Sequence, residues 1–190
     1  MPTTAPPVHA PASFTTPADA VTAYLRAKDG NRPHLLRAAF VDNAQLTMRV
    51  RTPGISFPPG ALGREAIADM LVTNFNQTWE NVYTLCLGTP PPRGSTRLSC
   101  GWLVVMSAKQ DGSVRAGCGR YDWTFDLACG RARSLVITID AMETVACDID
   151  TMADWIAALP SPWCDLHRLA ATAPPTLALR VVIDRLRQSA

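Results

Sequence analysis

The order of hydrophobic periodicities along this chain predicts an α+β fold, with helices first, an antiparallel sheet next and more helices last. Three observations carry that reading. Apolar residues recur at helical spacing near the N-terminus and again after residue 63. The period changes to two between residues 78 and 143. The alternating segments are joined mostly by short turn sequences, such as Gln110-Asp111-Gly112, which suit hairpins and not parallel crossovers. The chain has 190 residues, 47% hydrophobic and 18% charged, so it can build a packed core, and global disorder is excluded.

Residues 1–16 are rich in Pro, Thr and Ala, which predicts a flexible tail. The first helix opens at Thr16-Pro17-Ala18-Asp19. Thr16 suits the N-cap, Pro17 the first helical position, and Asp19 the positive end of the helix dipole. Val21, Tyr24, Leu25 and Lys28 follow at helical spacing, and Asp29-Gly30-Asn31 stops the helix. A short second helix near Pro33 to Phe40 has Leu35, Leu36, Ala39 and Phe40 as its apolar face. Val41-Asp42-Asn43 reads as a turn. Residues 44–51 read as a half-buried strand with Leu46, Met48 and Val50 on one face. Three prolines and two glycines make residues 52–60 a loop, and a third helix runs from Gly63 to about Phe75 with Ile67, Met70, Leu71 and Phe75 inward.

Four strands follow. In residues 78–87, Trp79, Asn81, Tyr83, Leu85 and Leu87 share a face. In residues 98–109, Leu98, Cys100, Trp102, Val104 and Met106 do so. Residues 114–127 set Tyr121, Trp123, Phe125 and Leu127 against Arg120, Asp122, Thr124 and Asp126. Residues 131–143 set Leu135, Ile137 and Ile139 against Ser134, Thr138 and Asp140. Beyond residue 146 a helix over 150–159 is capped by Asp150, prolines break the chain, and a last helix spans 176–187 with basic residues near its C-terminal end. The division is a tail (1–16), a main domain (17–146) and a helical C-terminal extension (147–190).

The formal charge of +2 is too even to point to nucleic acid or an anionic membrane, and the longest apolar runs are too short for a span. None of the six cysteines has C-x-x-C spacing, and most lie among apolar residues, as buried thiols do. The first residues lack a basic and apolar leader, so a reducing cytoplasm is expected. Spacing alone leaves a Cys147–Cys164 disulfide open. His9, His34 and His167 form no ligand set, helix capping accounts for the Asp148, Asp150 and Asp154 cluster, and no Gly-rich loop follows a strand. No metal and no cofactor are expected.

Three stretches together carry a family resemblance. They are Ala20-Val21-Thr22-Ala23-Tyr24-Leu25-Arg26-Ala27 with the following Leu35 to Ala44, then Gly63-Arg64-Glu65-Ala66-Ile67, then Tyr121 to Asp126 leading to Gly130-Arg131-Ala132-Arg133-Ser134-Leu135. Over about residues 17–145 the chain resembles the SnoaL-like branch of the nuclear transport factor 2-like superfamily. The resemblance implies a cone, a curved antiparallel sheet wrapped around the N-terminal helices, with an open end leading to an apolar cavity. Its members include ketosteroid isomerase, polyketide cyclases, limonene epoxide hydrolase, scytalone dehydratase and non-enzymatic assembly modules. Many pair through the outer face of the sheet, so a homodimer is expected.

By the same resemblance, Asp122 matches the ketosteroid isomerase acid that donates a hydrogen bond to an oxyanion, and Tyr24 its tyrosine partner. The stretch that would hold the general base reads Leu46-Thr47-Met48-Arg49, with no carboxylate. Strand alternation also opposes the transfer, because Asp122 faces outward if Tyr121, Trp123 and Phe125 face the helices. Phe40, Met48, Phe75, Tyr83, Trp102 and Trp123 are the expected lining of a pocket for a small hydrophobic molecule. Two functions stay open: a cofactor-free isomerase, cyclase or dehydratase of such a molecule, and a non-catalytic homodimeric binding or assembly module.

Overall fold

Thr16 caps the first helix, α1 (Pro17–Asp29), in a computed structural model that describes residues 15–189; residues 1–14 of the expected tail lie outside the described residues. Its Oγ1 accepts from the Asp19 N–H at 3.1 Å, and the Asp19 carboxylate accepts from the Thr16 N–H at 3.0 Å. The two orphan donors of the helix start are thereby satisfied reciprocally. Val21, Tyr24, Leu25 and Lys28 form the buried stripe, as their spacing predicts. A 3₁₀ turn (Pro33–Leu35) and α2 (Leu36–Ala39) make the second helical segment, and Phe40 already begins β1 (Phe40–Val50). The expected turn at Val41–Asn43 is part of that strand, because the pairing slips between Phe40 and Gln45 and the extra residues bulge instead of reversing the chain.

The loop after β1 ends in a short strand not foreseen from sequence, β2 (Gly60–Leu62). The third helix is one continuous segment in three parts: α3 (Arg64–Ala68), a wider π turn (Asp69–Asn74) and α4 (Phe75–Thr78). The meander β3 (Trp79–Leu87), β4 (Arg97–Ala108), β5 (Val114–Phe125) and β6 (Ala132–Val145) is antiparallel throughout. Two further pairings are parallel. β1 lies against β6, and β7 (Trp163–Cys164) lies against β3, so the sheet of order β2-β1-β6-β5-β4-β3-β7 is mixed and open.

Side-chain alternation divides this sheet into two buried faces. On β5 the odd-numbered Tyr121, Trp123 and Phe125 join the concave core with α1, while the even-numbered Val114, Ala116 and Cys118 join a second core on the convex side. On β6 the register with β5 shifts at Asp140, an extra residue opposite the Cys118–Gly119 step. Ile137 and Ile139 before it and Met142 after it therefore face the hollow, while Ala141 and Val145 face outward. Asn81, at φ 50°, plays the same part on β3, where pairing shifts between Glu80 and Tyr83. Trp79 thus faces the hollow, whereas Tyr83, Leu85 and Leu87 do not, although uninterrupted alternation put all four on one face.

The C-terminal helices cover the convex core. α5 (Ile149–Ala157), α6 (Leu166–Thr172) and α7 (Leu177–Ser189) bury Met152, Trp155, Ile156, Leu169, Leu179 and Val182 against Leu85, Leu103, Val105 and Val114. The cap of α5 is Asp148, whose Oδ1 accepts from the Thr151 N–H at 2.7 Å, and not Asp150 as expected. α6 was not foreseen, because its flanking prolines read only as breaks. All six cysteines are free thiols, so Cys147 and Cys164 are not bridged.

Candidate functional site

One end of the concave core is packed solid. Trp123 stacks on Phe40 and Phe125, with ring centroids 5.7 and 5.9 Å away, and meets Tyr24 edge-on at 5.3 Å. The other end keeps a cavity of about 50 Å³. α1 contributes Tyr24 and Lys28 to its wall. β1 contributes Met48, and the helical segment after β2 contributes Leu71 and Phe75. Trp102, Val104 and Met106 come from β4, Tyr121 from β5, and Ile137, Ile139 and Met142 from β6. Ile55 and Phe57, from the Pro-rich loop, close the rim, where Phe57 stacks on Phe75 at 6.2 Å.

Of the expected site residues, Tyr24, Met48, Phe75 and Trp102 line this cavity. Phe40 and Trp123 do not, because they fill the aromatic end of the core. Tyr83 is 36% exposed and stands on the convex side, displaced there by the Asn81 bulge. Asp122 is also outside the hollow. It faces away on β5, accepts from Ser99 Oγ at 2.8 Å, and pairs with Arg120 Nε at 3.1 Å. It is an exposed strand-surface ion pair of the kind worth about 0–1 kcal/mol. An oxyanion-hole acid must reach the ligand, so the role that the resemblance gives Asp122 does not fit its position.

Among the described residues, the one charged group of the wall is Lys28, which sequence reasoning passed over as a site residue. Lys28 is buried, and its Nζ donates to Asp29 Oδ1 at 2.5 Å and Thr84 Oγ1 at 2.8 Å. Asp29 in turn accepts from the Thr84 N–H at 2.8 Å and from its hydroxyl at 2.9 Å. Asn76 braces the same corner by donating to the Lys28 carbonyl at 3.0 Å. The signal was present in the sequence. Lys28 is in phase with Val21, Tyr24 and Leu25, and this arginine-rich chain has only one other lysine, Lys109.

Tyr24 and Tyr121 meet edge-on, with ring centroids 5.8 Å apart. Burial pushes both phenols well above the ordinary tyrosine range. The Cys86 thiol beside them is likewise held up, first by its hydrogen bond to Cys100 and then by burial, so it is a protonated thiol and not a nucleophilic thiolate. The tyrosines make a sharp prediction. A group whose folded pKa is raised stabilises the fold fully below its unfolded value, near pH 10, and loses that contribution as pH rises. Phenolate absorbance from these two rings should therefore appear only together with alkaline unfolding. Replacing both by Phe should move the alkaline midpoint upward; a phenolate signal from Tyr24 in the folded protein would contradict this.

No protein-family model matches the sequence, and no curated protein matches it. Solved structures do. The chain is similar to Δ5-3-ketosteroid isomerase from Mycobacterium sp., at 18% identity and a TM-score of 0.52, over 68% of this chain and 98% of that one. It is similar to a type 2 hexachlorocyclohexane dehydrochlorinase at 14% identity and a TM-score of 0.54, over 67% and 85%. A nuclear transport factor 2-like superfamily protein from Salmonella enterica gives 16% identity and a TM-score of 0.51, over 65% and 88%. With an open, curved sheet wrapped around α1 and a hollow on its concave side, the chain has the fold of the nuclear transport factor 2-like superfamily.

Proposed function

We propose that this protein binds a small, largely apolar molecule in the concave cavity and performs no proton abstraction there. The lining carries the proposal. Apart from Tyr24, Lys28, Trp102 and Tyr121, its side chains are carbon and sulfur only. An isomerase, cyclase or dehydratase needs a base at the reacting carbon. Met48 stands on the strand where the resemblance would put one, and the Asp29 carboxylate is taken up by Lys28 and Thr84. An isomerase and a dehydrochlorinase among the similar structures support a small-molecule role for the hollow.

A cavity of about 50 Å³ is well under the roughly 300–1,000 Å³ that drug-sized ligands fill. The ligand is therefore small, or it displaces Phe57 and the flexible Met48, Met106 and Met142. A thermal-shift screen of small apolar molecules tests the reading. At a concentration about a hundredfold above Kd, a true ligand adds about 2.7 kcal/mol, or several degrees. Val104→Phe, which fills the hollow, should abolish that shift. A ligand that stabilises Val104→Phe as well as the parent protein binds elsewhere, and the proposal fails.

For the working unit we depart from the expected homodimer and take a single chain. The support is the cover that α5–α7 lay over the apolar convex face, the face through which a sheet-to-sheet pair would form. The six free thiols support the reducing, cytoplasmic setting expected from sequence. No helix among the described residues is long and apolar enough to cross a membrane.

A further inference from the structure

Hydrogen-bond accounting around the cavity leaves donors without acceptors. Lys28 has three ammonium protons, of which two go to Asp29 and Thr84. No acceptor among the described residues takes the third, and the ammonium stands 5.4 Å from the Phe75 ring centre. Trp102 is 3% exposed, and its indole Nε1–H has no hydrogen-bond partner among the described residues. Buried donors are nearly always paired. The Trp123 indole in the packed end also lacks a partner among the described residues, but Trp102 stands in the wall of the cavity, where a bound group can supply one. The only oxygens on the lining side chains are the two phenols.

We infer that the cavity selects neutral hydrogen-bond acceptors, such as a small ketone, ester or amide, held by the Trp102 indole N–H and the remaining proton of Lys28. This rests on the reading of the cavity as a ligand site. An alkane would leave both donors unpaired, and a donor ligand would find acceptors only on the two phenol oxygens. An anion fits worse than its attraction to Lys28 suggests. The Lys28–Asp29 pair is already balanced at 2.5 Å, so a carboxylate would bury a charge with no partner of its own.

Butanone, 2-methylbutane and propionate share a heavy-atom count and differ in the property at issue. Each is titrated into the full-length protein carrying ¹³C-methyl methionine, and the methyls of Met48, Met106 and Met142 report from the cavity wall. Butanone should shift them with a Kd about tenfold below those of the other two, the equivalent of about one hydrogen bond. Trp102→Phe should shrink that preference roughly threefold or more. So should the double variant Lys28→Met/Asp29→Asn, which removes both charges together so that neither is left buried alone. Equal affinity for butanone and 2-methylbutane overturns the selection but leaves the cavity a ligand site, as does a preference intact in both variants. If none of the three probes moves these methyls, the ligand-site reading falls and this inference with it.

Discussion

Removing residues 147–190 should end the existence of this protein as a folded monomer. The intact chain should scatter light as a single 20.5 kDa species, because its convex sheet face is already covered. Truncation strips that cover from Leu85, Leu103, Val105, Val114 and Val145, together with Ala116, Cys118 and Ala141. At roughly 1.5–3 kcal/mol for each large apolar side chain returned to water, the five largest alone match or exceed much of a typical net stability of about 5–15 kcal/mol. The loss of β7 also bares the outer edge of β3 to other chains. The truncated chain should therefore associate or unfold, with strong binding of a hydrophobic dye. A truncated chain that stays monomeric and melts within a few degrees of the parent would show that α5–α7 are decoration, and the single-chain working unit would lose its support.

The second large effect is expected from one methyl group. Gly119→Ala should cost about 3 kcal/mol or more, read as a lower urea midpoint at unchanged slope. β5 passes so close to β6 beside the Asp140 bulge that a Cβ at 119 would stand 1.9 Å from the Thr138 carbonyl oxygen, with the Trp102 ring 2.9 Å away. Backbone and a packed indole cannot step aside, so the pairing itself must open. Gly117→Ala is the control. There the new methyl first meets the flexible end of Met142, at 2.3 Å from Cε, which can swing away at lower cost. Wild-type stability in Gly119→Ala, or an equal loss in both variants, would mean that the bulge is not what demands glycine.

Much of this architecture was legible before any coordinates. The Thr16 cap, the α1 stripe and the β3–β6 meander depend on local pattern, and local pattern is what periodicity reads. The parallel contact between β1 and β6 was not legible, because strands far apart in sequence leave no turn signature. The misplacement of Tyr83 has a single cause: one extra residue at Asn81 inverts everything after it. For Asp122, two arguments from sequence conflicted, family position and strand alternation, and alternation agrees with the observed facing. The convex cover did leave a trace. Trp102-Leu103-Val104-Val105-Met106 is an unbroken apolar run, as expected of a strand buried on both faces. The cavity was legible only in its greasy half. Met48, Phe75 and Trp102 follow from face and type and Tyr24 from the family resemblance, whereas Lys28 became visible as a cavity group only once Asp29 and Thr84 were seen to hold it.

The Asp140 bulge has a consequence for how this protein can evolve. Ala141 touches the helical cover, while Met142, its immediate neighbour, lines the hollow. On the reading proposed above, consecutive codons therefore answer to unrelated selection, one for the outer packing and the other for what the hollow holds. The hollow can be reshaped without disturbing the cover, and lineages that share the same outer packing are free to diverge in its lining.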